Sequence, residues 1–148
     1  MARKKIPPTD MKGMEVFRFL KTSYDEALLL LVLSRDYFAI QGRKDKQKLS
    51  KDQQLIYTLA SSTITTQLTS VMSWLLLCRA MQEGELTLEQ LQEEKFAMPE
   101  INPGVTESDS CFSTLSAPVK ELLAKSSNLY NRMKRMESSV REHFMYMV

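Results

Sequence analysis

The chain has 148 residues and a formal net charge of +2, and 43% of its residues are hydrophobic. A chain of this length can bury about 68–70% of the surface that it exposes when unfolded, so it can form a sizeable core without disulfides or metals. The nearly neutral charge gives no overall preference for nucleic acid or for an anionic membrane surface.

Cysteine usage and the length of the apolar runs indicate the compartment. The two cysteines, Cys78 and Cys111, are predicted to lie in a core helix and in a loop. No signal peptide is recognisable, so we expect free thiols and a cytoplasmic protein. The longest apolar runs, Ala27 to Leu33 and Leu75 to Cys78, are far shorter than the roughly 18 residues that a membrane span needs. The sequence therefore predicts no membrane-spanning segment.

Glycine and proline divide the chain into long segments that contain neither residue. Residues 1–12 carry Pro7 and Pro8 and are predicted to be a disordered arm. Residues 13–148 are predicted to form one all-α domain, an antiparallel three-helix bundle with a short extra helix after helix two. The predicted segments are helix one at about 14–41, helix two at about 50–83, the short helix at about 88–96, a loop at 97–114 and helix three at about 116–147.

Helix one is predicted from a stripe of apolar residues with helical spacing. We expect it to end at Gly42, where a left-handed conformation costs glycine little. Ser23 to Glu26 has capping-box spacing, but the stripe continues upstream, so we interpret the box as internal to the helix. The cluster from Arg43 to Lys48 is interpreted as a solvated turn, since no aromatic platform accompanies it. The stripe consists of Phe17, Leu20, Tyr24, Ala27, Leu28, Leu31 and Phe38.

Helix two is the segment around which the chain is organised, and it contains the only tryptophan, Trp74. The capping box from Ser50 to Gln53 predicts its start and Gly84 its end. Serines and threonines between positions 61 and 70 favour extended structure by propensity, but the period-2 alternation of a strand is absent. One buried stripe is predicted from Ile64, Leu68, Val71, Leu75 and Cys78.

A second apolar row on helix two, Trp74, Leu77 and Met81, is offset from the first by about 80°. The helix is therefore apolar over more of its circumference than one neighbour can cover. We predict that this row is a homodimer or partner face, with Arg79 and Glu83, one turn apart, paired across it.

The C-terminal part of the sequence predicts two more helices. A third capping box, Thr87 to Gln90, starts the short helix. The face of helix three opposite its apolar seam is predicted to be basic and exposed to solvent. On this face Glu137 and Arg141 have the spacing of an i,i+4 ion pair. Its predicted seam consists of Val119, Leu122, Ser126, Leu129, Met133, Met136, Val140, His143 and Met147.

The sequence lacks the usual signals of catalysis and of cofactor or metal binding. The single histidine, His143, lies on the helix-three seam without a neighbouring nucleophile. Zinc-ligand spacing, paired Glu-x-x-His motifs and glycine-rich phosphate loops are missing. The residues therefore predict a non-enzymatic protein-binding module without cofactor or metal. Two alternatives stay open: a small basic nucleic-acid-associated protein, and a bundle that encloses an apolar ligand near Trp74.

A family resemblance sharpens this prediction. Thr65 to Leu68 and Ser73 to Thr87 resemble the signature of the RcdA family, the alphaproteobacterial regulators of CtrA degradation. A weaker resemblance to the end of the family's first helix is seen at Tyr37, Phe38, Gly42 and Arg43. Further matches are at 88–95 and 115–133, so the resemblance spans roughly residues 14 to 140.

The resemblance implies a three-helix homodimer that acts as a proteolytic adaptor in the cytoplasm, with the cell pole as an expected location. Such adaptors join a ClpXP protease primed by the response regulator CpdR, and deliver cargo that includes CtrA through the effector PopA. This mechanism is scaffolding, in which two binding events on one body raise the effective concentration of substrate at the unfoldase.

Overall fold

The computed structural model describes residues 11–101 and 104–145, with side chains described for 18–93, 95–101 and 104–140. This part of the chain contains five α-helices and no β-strand, which confirms the all-α class. The predicted arm lies outside the described residues except for its last two, which belong to the first helix. The helices are α1 (Met11–Ala39), α2 (Gln41–Gln47), α3 (Lys51–Gln82), α4 (Leu88–Leu91) and α5 (Ala117–Met145), with 3₁₀ turns at Glu94–Phe96 and Phe112–Thr114.

The helix α3 is central to the packing because its apolar residues recur on one face. It contacts both α1 and α5, and these two helices also contact each other. Burial of one side chain of the size of valine, leucine or isoleucine stabilises the folded state by about 1.5–3 kcal/mol. The whole predicted stripe is buried: Ile64, Leu68, Val71, Leu75 and Cys78.

The helices α3 and α5 run in the same direction, contrary to the predicted antiparallel order. Tyr57 near the start of α3 shares a buried cluster with Val119 near the start of α5. Further along both helices, Ser126 Oγ donates to Gln67 Oε1 at 3.1 Å.

The helix α1 runs opposite to α3 and α5. Tyr37 near its end is hydrogen-bonded to Ser116, just before α5, at 2.7 Å. Glu26, earlier in α1, pairs with Arg132, later in α5, at 2.7 Å. The antiparallel expectation therefore holds for α1 only.

The segment between α4 and α5 returns the chain along the helices and allows α5 to run parallel to α3. Met98 N–H donates to Glu137 Oε2 at 2.5 Å near the end of α5. Further along the segment, Ile101 N–H donates to Tyr130 Oη at 3.2 Å. Gly104 N–H donates to Thr63 Oγ1 of α3 at 3.3 Å. A segment that spans the helices in this way cannot act as the short turn that an antiparallel pair requires.

The predicted capping residues of α3 and α4 are confirmed. Ser50 Oγ accepts the amide of Gln53 at 3.3 Å, and the Gln53 side chain accepts the amide of Ser50 at 3.0 Å. Thr87 and Gln90 form the same reciprocal pair at the start of α4. That helix is shorter than predicted and is followed by the 3₁₀ turn at Glu94–Phe96.

Gly84 ends α3 as predicted, with a positive φ of 78°. The Glu85 amide donates to the Ala80 carbonyl at 2.9 Å, and the Gly84 amide donates to the Met81 carbonyl at 3.1 Å. These two bonds form a Schellman motif, which satisfies carbonyls that the helix end leaves free.

Gly42 differs from its prediction. The helix α1 ends at Ala39, and Gly42 lies inside α2 without a positive φ. Its missing side chain is what matters, because a Cβ at this position would collide with the buried hydroxyl of Tyr57. The hydroxyl of Tyr57 has no hydrogen-bond partner among the described residues, and burial raises its pKa to about 12. Gly42 therefore allows α2 to pack closely on α3.

We expect Gly42→Ala to lower the free energy of unfolding by about 1–3 kcal/mol, because the added methyl group overpacks this contact. Urea unfolding followed by circular dichroism measures the change. In a Tyr57→Phe background the hydroxyl is absent, so the same substitution should cost less than half as much. An equal cost in both backgrounds would show that the clash with Tyr57 is not the cause.

Candidate protein-interaction surface

The structure separates the residues that the sequence predicted as one partner face. Trp74 is 3% exposed and belongs to the main buried cluster of the chain, so it is not accessible to a partner on the folded surface. Leu77 and Met81 are half-buried and pack against the same cluster. The chain's own segment 95–99 lies over this part of α3: its Met98 belongs to the same buried cluster as Trp74, and the segment and Trp74 line one groove.

Arg79 and Glu83 form an exposed ion pair along α3. The Arg79 Nε and Glu83 Oε1 atoms are 3.2 Å apart. The two side chains therefore pair within one helix, as their spacing allows, and contribute little to stability at an exposed position.

The segment that covers Trp74 is fixed to α5 by buried and half-buried polar groups. Lys134 Nζ donates to the Met98 carbonyl at 2.5 Å and lies 3.6 Å from Glu137 Oε1. Tyr130 Oη donates to the Pro99 carbonyl. Glu137 is only 5% exposed, so its predicted place on a solvated face is wrong. Its predicted partner Arg141 has a side chain outside the described residues.

An open groove of about 410 Å³ lies between α3 and this segment, beside Trp74. The sequence offered this neighbourhood as a site for an apolar ligand. The α3 wall of the groove is mostly hydroxyl side chains, of which Thr65, Thr66 and Thr69 donate to carbonyls one turn earlier at 2.7–3.0 Å. The groove is lined by Thr65, Thr66, Thr69, Ser70, Ser73, Trp74, Leu77, Lys95, Phe96, Ala97, Met98 and Pro99.

Two exposed leucines of α1 form a short apolar row that sequence reasoning missed. Leu29 and Leu33 are 58% and 47% exposed and lie four positions apart, so they share one side of the helix. We call these two residues the α1 leucine face. Leu28, predicted as core, is also exposed. The uninterrupted apolar run from Ala27 to Leu33 was the available signal, because no single helix face can bury all of it.

Side chains that could bind a metal ion or react chemically are few in the described part of the chain. It contains no cluster of three or more His, Cys, Asp or Glu residues that could hold a metal ion. Both cysteines are free thiols, and burial, with a smaller contribution from Glu137, raises the pKa of Cys78 to about 12. The side chain of His143 lies outside the described residues. Among the described helices, none has the length and hydropathy needed to cross a membrane.

Fold and surface together define an all-α protein whose described surface carries apolar side chains in rows. Residues 14–146 match the family model described as "Protein of unknown function (DUF1465)", and the chain belongs to this family, which is the family of RcdA. The chain is also similar to the crystal structure of RcdA from Caulobacter crescentus CB15, with a TM-score of 0.65 and 29% sequence identity. That similarity covers 82% of this chain and 89% of RcdA. No curated protein matches the chain. The RcdA resemblance seen around Trp74 is thus confirmed.

Proposed function

We propose that this protein is a non-enzymatic adaptor in regulated proteolysis, which delivers cell-cycle regulators such as CtrA to the ClpXP protease. The observation that carries this proposal is the similarity to RcdA over 82% of the chain. The signature around Trp74 resembles a family of proteolytic adaptors, and that resemblance supplies the partners: ClpX, CpdR-like and PopA-like regulators and CtrA-like cargo. The proposal includes a cytoplasmic location and assembly at the cell pole, which imaging a fluorescent fusion in the native host tests.

An adaptor needs at least two surfaces that bind at the same time, since it acts by raising the local concentration of cargo at the protease. Exposed aliphatic side chains in three places support such a role. The first place is the α1 leucine face. The second is the N-terminal half of α3, with Leu55 and Leu59, and the third is Leu76 near its C-terminal end.

We assign a homodimer contact to the α1 leucine face. Its two leucines lie one turn apart on one side of α1, and a twofold axis can place two such apolar pairs against each other. The predicted face around Trp74 cannot serve unless the segment 95–99 moves away. The row on α1 is accessible without any rearrangement.

We expect the double substitution Leu29→Ser and Leu33→Ser to convert a dimer into a folded monomer. Loss of apolar contact weakens association, whereas both side chains are already largely in water in the single chain. Sedimentation equilibrium at tens of micromolar measures the mass, and circular dichroism checks the helix content. Leu76→Ser is the matched control and should stay dimeric. A monomeric wild-type protein, or a dimeric double variant, would contradict this assignment.

The adaptor role is tested by reconstituting ClpXP, CpdR, PopA and CtrA from the same organism. Adding this protein should accelerate CtrA loss at fixed protease concentration, and excess protein should slow it again because cargo and protease then occupy separate copies. A cargo that ClpXP degrades without an adaptor is the control. No acceleration, together with no recovery of ClpX or CpdR in a pull-down, would contradict the proposed function.

A further inference from the structure

Five cations lie within nine residues at one end of the helices, where α2 meets the start of α3. Four of them are exposed and Lys46 is half-buried. None forms an ion pair within 4 Å with the described residues. Only one carboxylate, Asp45, lies between them in sequence, and Asp52 follows them. We call this group the basic corner: Arg43, Lys44, Lys46, Lys48 and Lys51.

The carboxylate of Asp45 is occupied by contacts within the fold. Tyr37 Oη donates to Asp45 Oδ2 at 2.6 Å, and Gln41 Nε2 donates to Asp45 Oδ1 at 3.0 Å. The hydrogen bond from Tyr37 is the main cause that lowers the pKa of the Asp45 carboxyl. Because Tyr37 is also bonded to Ser116, Asp45 connects α2 to the start of α5. Lys48 adds a smaller electrostatic attraction to Asp45, and Arg43, Lys44, Lys48 and Lys51 are exposed to solvent.

The position of the basic corner is fixed by contacts between α2 and α3. Gln54 Nε2 donates to the carbonyls of Lys46 and Leu49 at 3.2 and 3.1 Å. Gly42 brings α2 against Tyr57, as described above. The cations are exposed, as predicted for a solvated segment, but they are presented on a packed helical corner and not on a turn.

Helix stability does not explain the number of cations. Lys44 and Lys46 lie in the last turn of α2, where the helix dipole favours them. Lys51, however, lies in the first turn of α3, where the dipole disfavours a cation. Lys44 and Lys48 are four positions apart and repel each other. Local rules broken in this way are expected at surfaces selected for binding.

Two exposed aliphatic side chains flank the cations. Ile40, directly before α2, is 65% exposed, and Leu55, one turn after Lys51, is 59% exposed. A phosphate backbone offers contacts to cations but little to aliphatic side chains. A protein segment that carries carboxylates beside an apolar side chain satisfies both kinds of group.

We propose that the basic corner, with Ile40 and Leu55, is a docking surface for an acidic protein segment that carries apolar side chains between its carboxylates. The partner class, a protein, rests on the proposed adaptor function. The surface itself follows from the charges and exposures of this chain. Its cations lie in α2 and at the start of α3, beyond the part of α1 that carries Leu29 and Leu33.

The test measures binding of a fluorescein-labelled glutamate-rich peptide that contains leucines, by fluorescence anisotropy. The variant Arg43→Glu with Lys51→Glu should weaken binding about tenfold or more, and the wild-type affinity should fall as salt rises. Both positions are in the first turn of their helices, where an acidic residue is favoured, so loss of binding cannot be attributed to melted helices. The matched control, Lys21→Glu with Arg135→Glu, changes the net charge equally at exposed positions away from the corner and should bind normally.

Leu55→Ser should reduce binding of the leucine-containing peptide to the level of a peptide in which serine replaces each leucine. Several results would overturn the proposal: equal weakening in the control variant, no effect of Leu55→Ser, tighter binding of a DNA duplex of equal charge, or self-association that Arg43→Glu with Lys51→Glu abolishes. If peptide binding is as expected but CtrA degradation is not accelerated, the proposed function fails while the docking surface stands. If CtrA degradation is accelerated but the peptide does not bind, the docking surface fails while the proposed function stands.

Discussion

Trp74→Ala is expected to lower the free energy of unfolding by about 3–5 kcal/mol. The indole is 3% exposed in the single chain, and the cluster around it combines α1, α3, α5 and the segment that follows α4. Removing it leaves a cavity that these elements cannot close without shifting, and interiors tolerate such voids poorly. Urea unfolding followed by circular dichroism measures the loss.

Leu76→Ala is the control for this prediction, because Leu76 lies two positions away on α3 and is 48% exposed. It should leave the unfolding midpoint nearly unchanged. The contrary result is a Trp74→Ala protein that keeps its stability but loses assembly, as measured by light scattering. That outcome would mean that Trp74 faces a partner and that segment 95–99 does not cover it in solution.

Glu137→Ala is expected to cost about 3 kcal/mol, because it removes the acceptor of a buried amide and the partner of a half-buried lysine. The Glu137 carboxylate holds the Met98 amide at 2.5 Å and lies 3.6 Å from Lys134 Nζ. Without it, the segment that covers Trp74 loses a main attachment to α5. Hydrogen exchange should therefore speed up at Met98 and Ile101 more than at the centre of α3.

Glu121→Ala provides the comparison on the same helix. Glu121 forms an exposed ion pair with Lys125 at 2.8 Å, which water screens, so no measurable change in the free energy of unfolding is expected.

The hydrogen-exchange measurement can also contradict the role of Glu137. Unchanged hydrogen exchange at Met98 in the Glu137→Ala protein would indicate that Tyr130 and Lys134 hold the segment without the carboxylate.

Local chemistry made the helix ends predictable. Ser50 and Thr87 act as capping residues and Gly84 adopts a positive φ, because each of these devices depends only on residues within one turn. The internal position of Ser23 was also correctly inferred from the continuing stripe. Gly42 was misread, since its role depends on Tyr57, which is distant in sequence, and a sequence does not show which side chain approaches a glycine.

The candidate surfaces were the least predictable part. Periodicity revealed that α3 has more apolar circumference than one helix can cover, but it could not show that segment 95–99 covers Trp74. Periodicity also identified the apolar residues of α1, but it could not indicate that Leu29 and Leu33 stay exposed to solvent. Glu137 had the spacing of a surface ion pair, and only its contact with Met98 shows why a carboxylate lies there in the interior.

The sequence alone determined the helical class, the buried stripe of α3 and the family, because capping, 3.6-residue periodicity and a contiguous signature are all encoded over short distances along the chain. Tertiary structure decided that α5 runs parallel to α3, that Trp74 is internal, and that the α1 leucine face and the basic corner are open. These outcomes depend on which segments pack together in the folded chain, and the free energy that selects among such packings comes from contacts that no local pattern specifies.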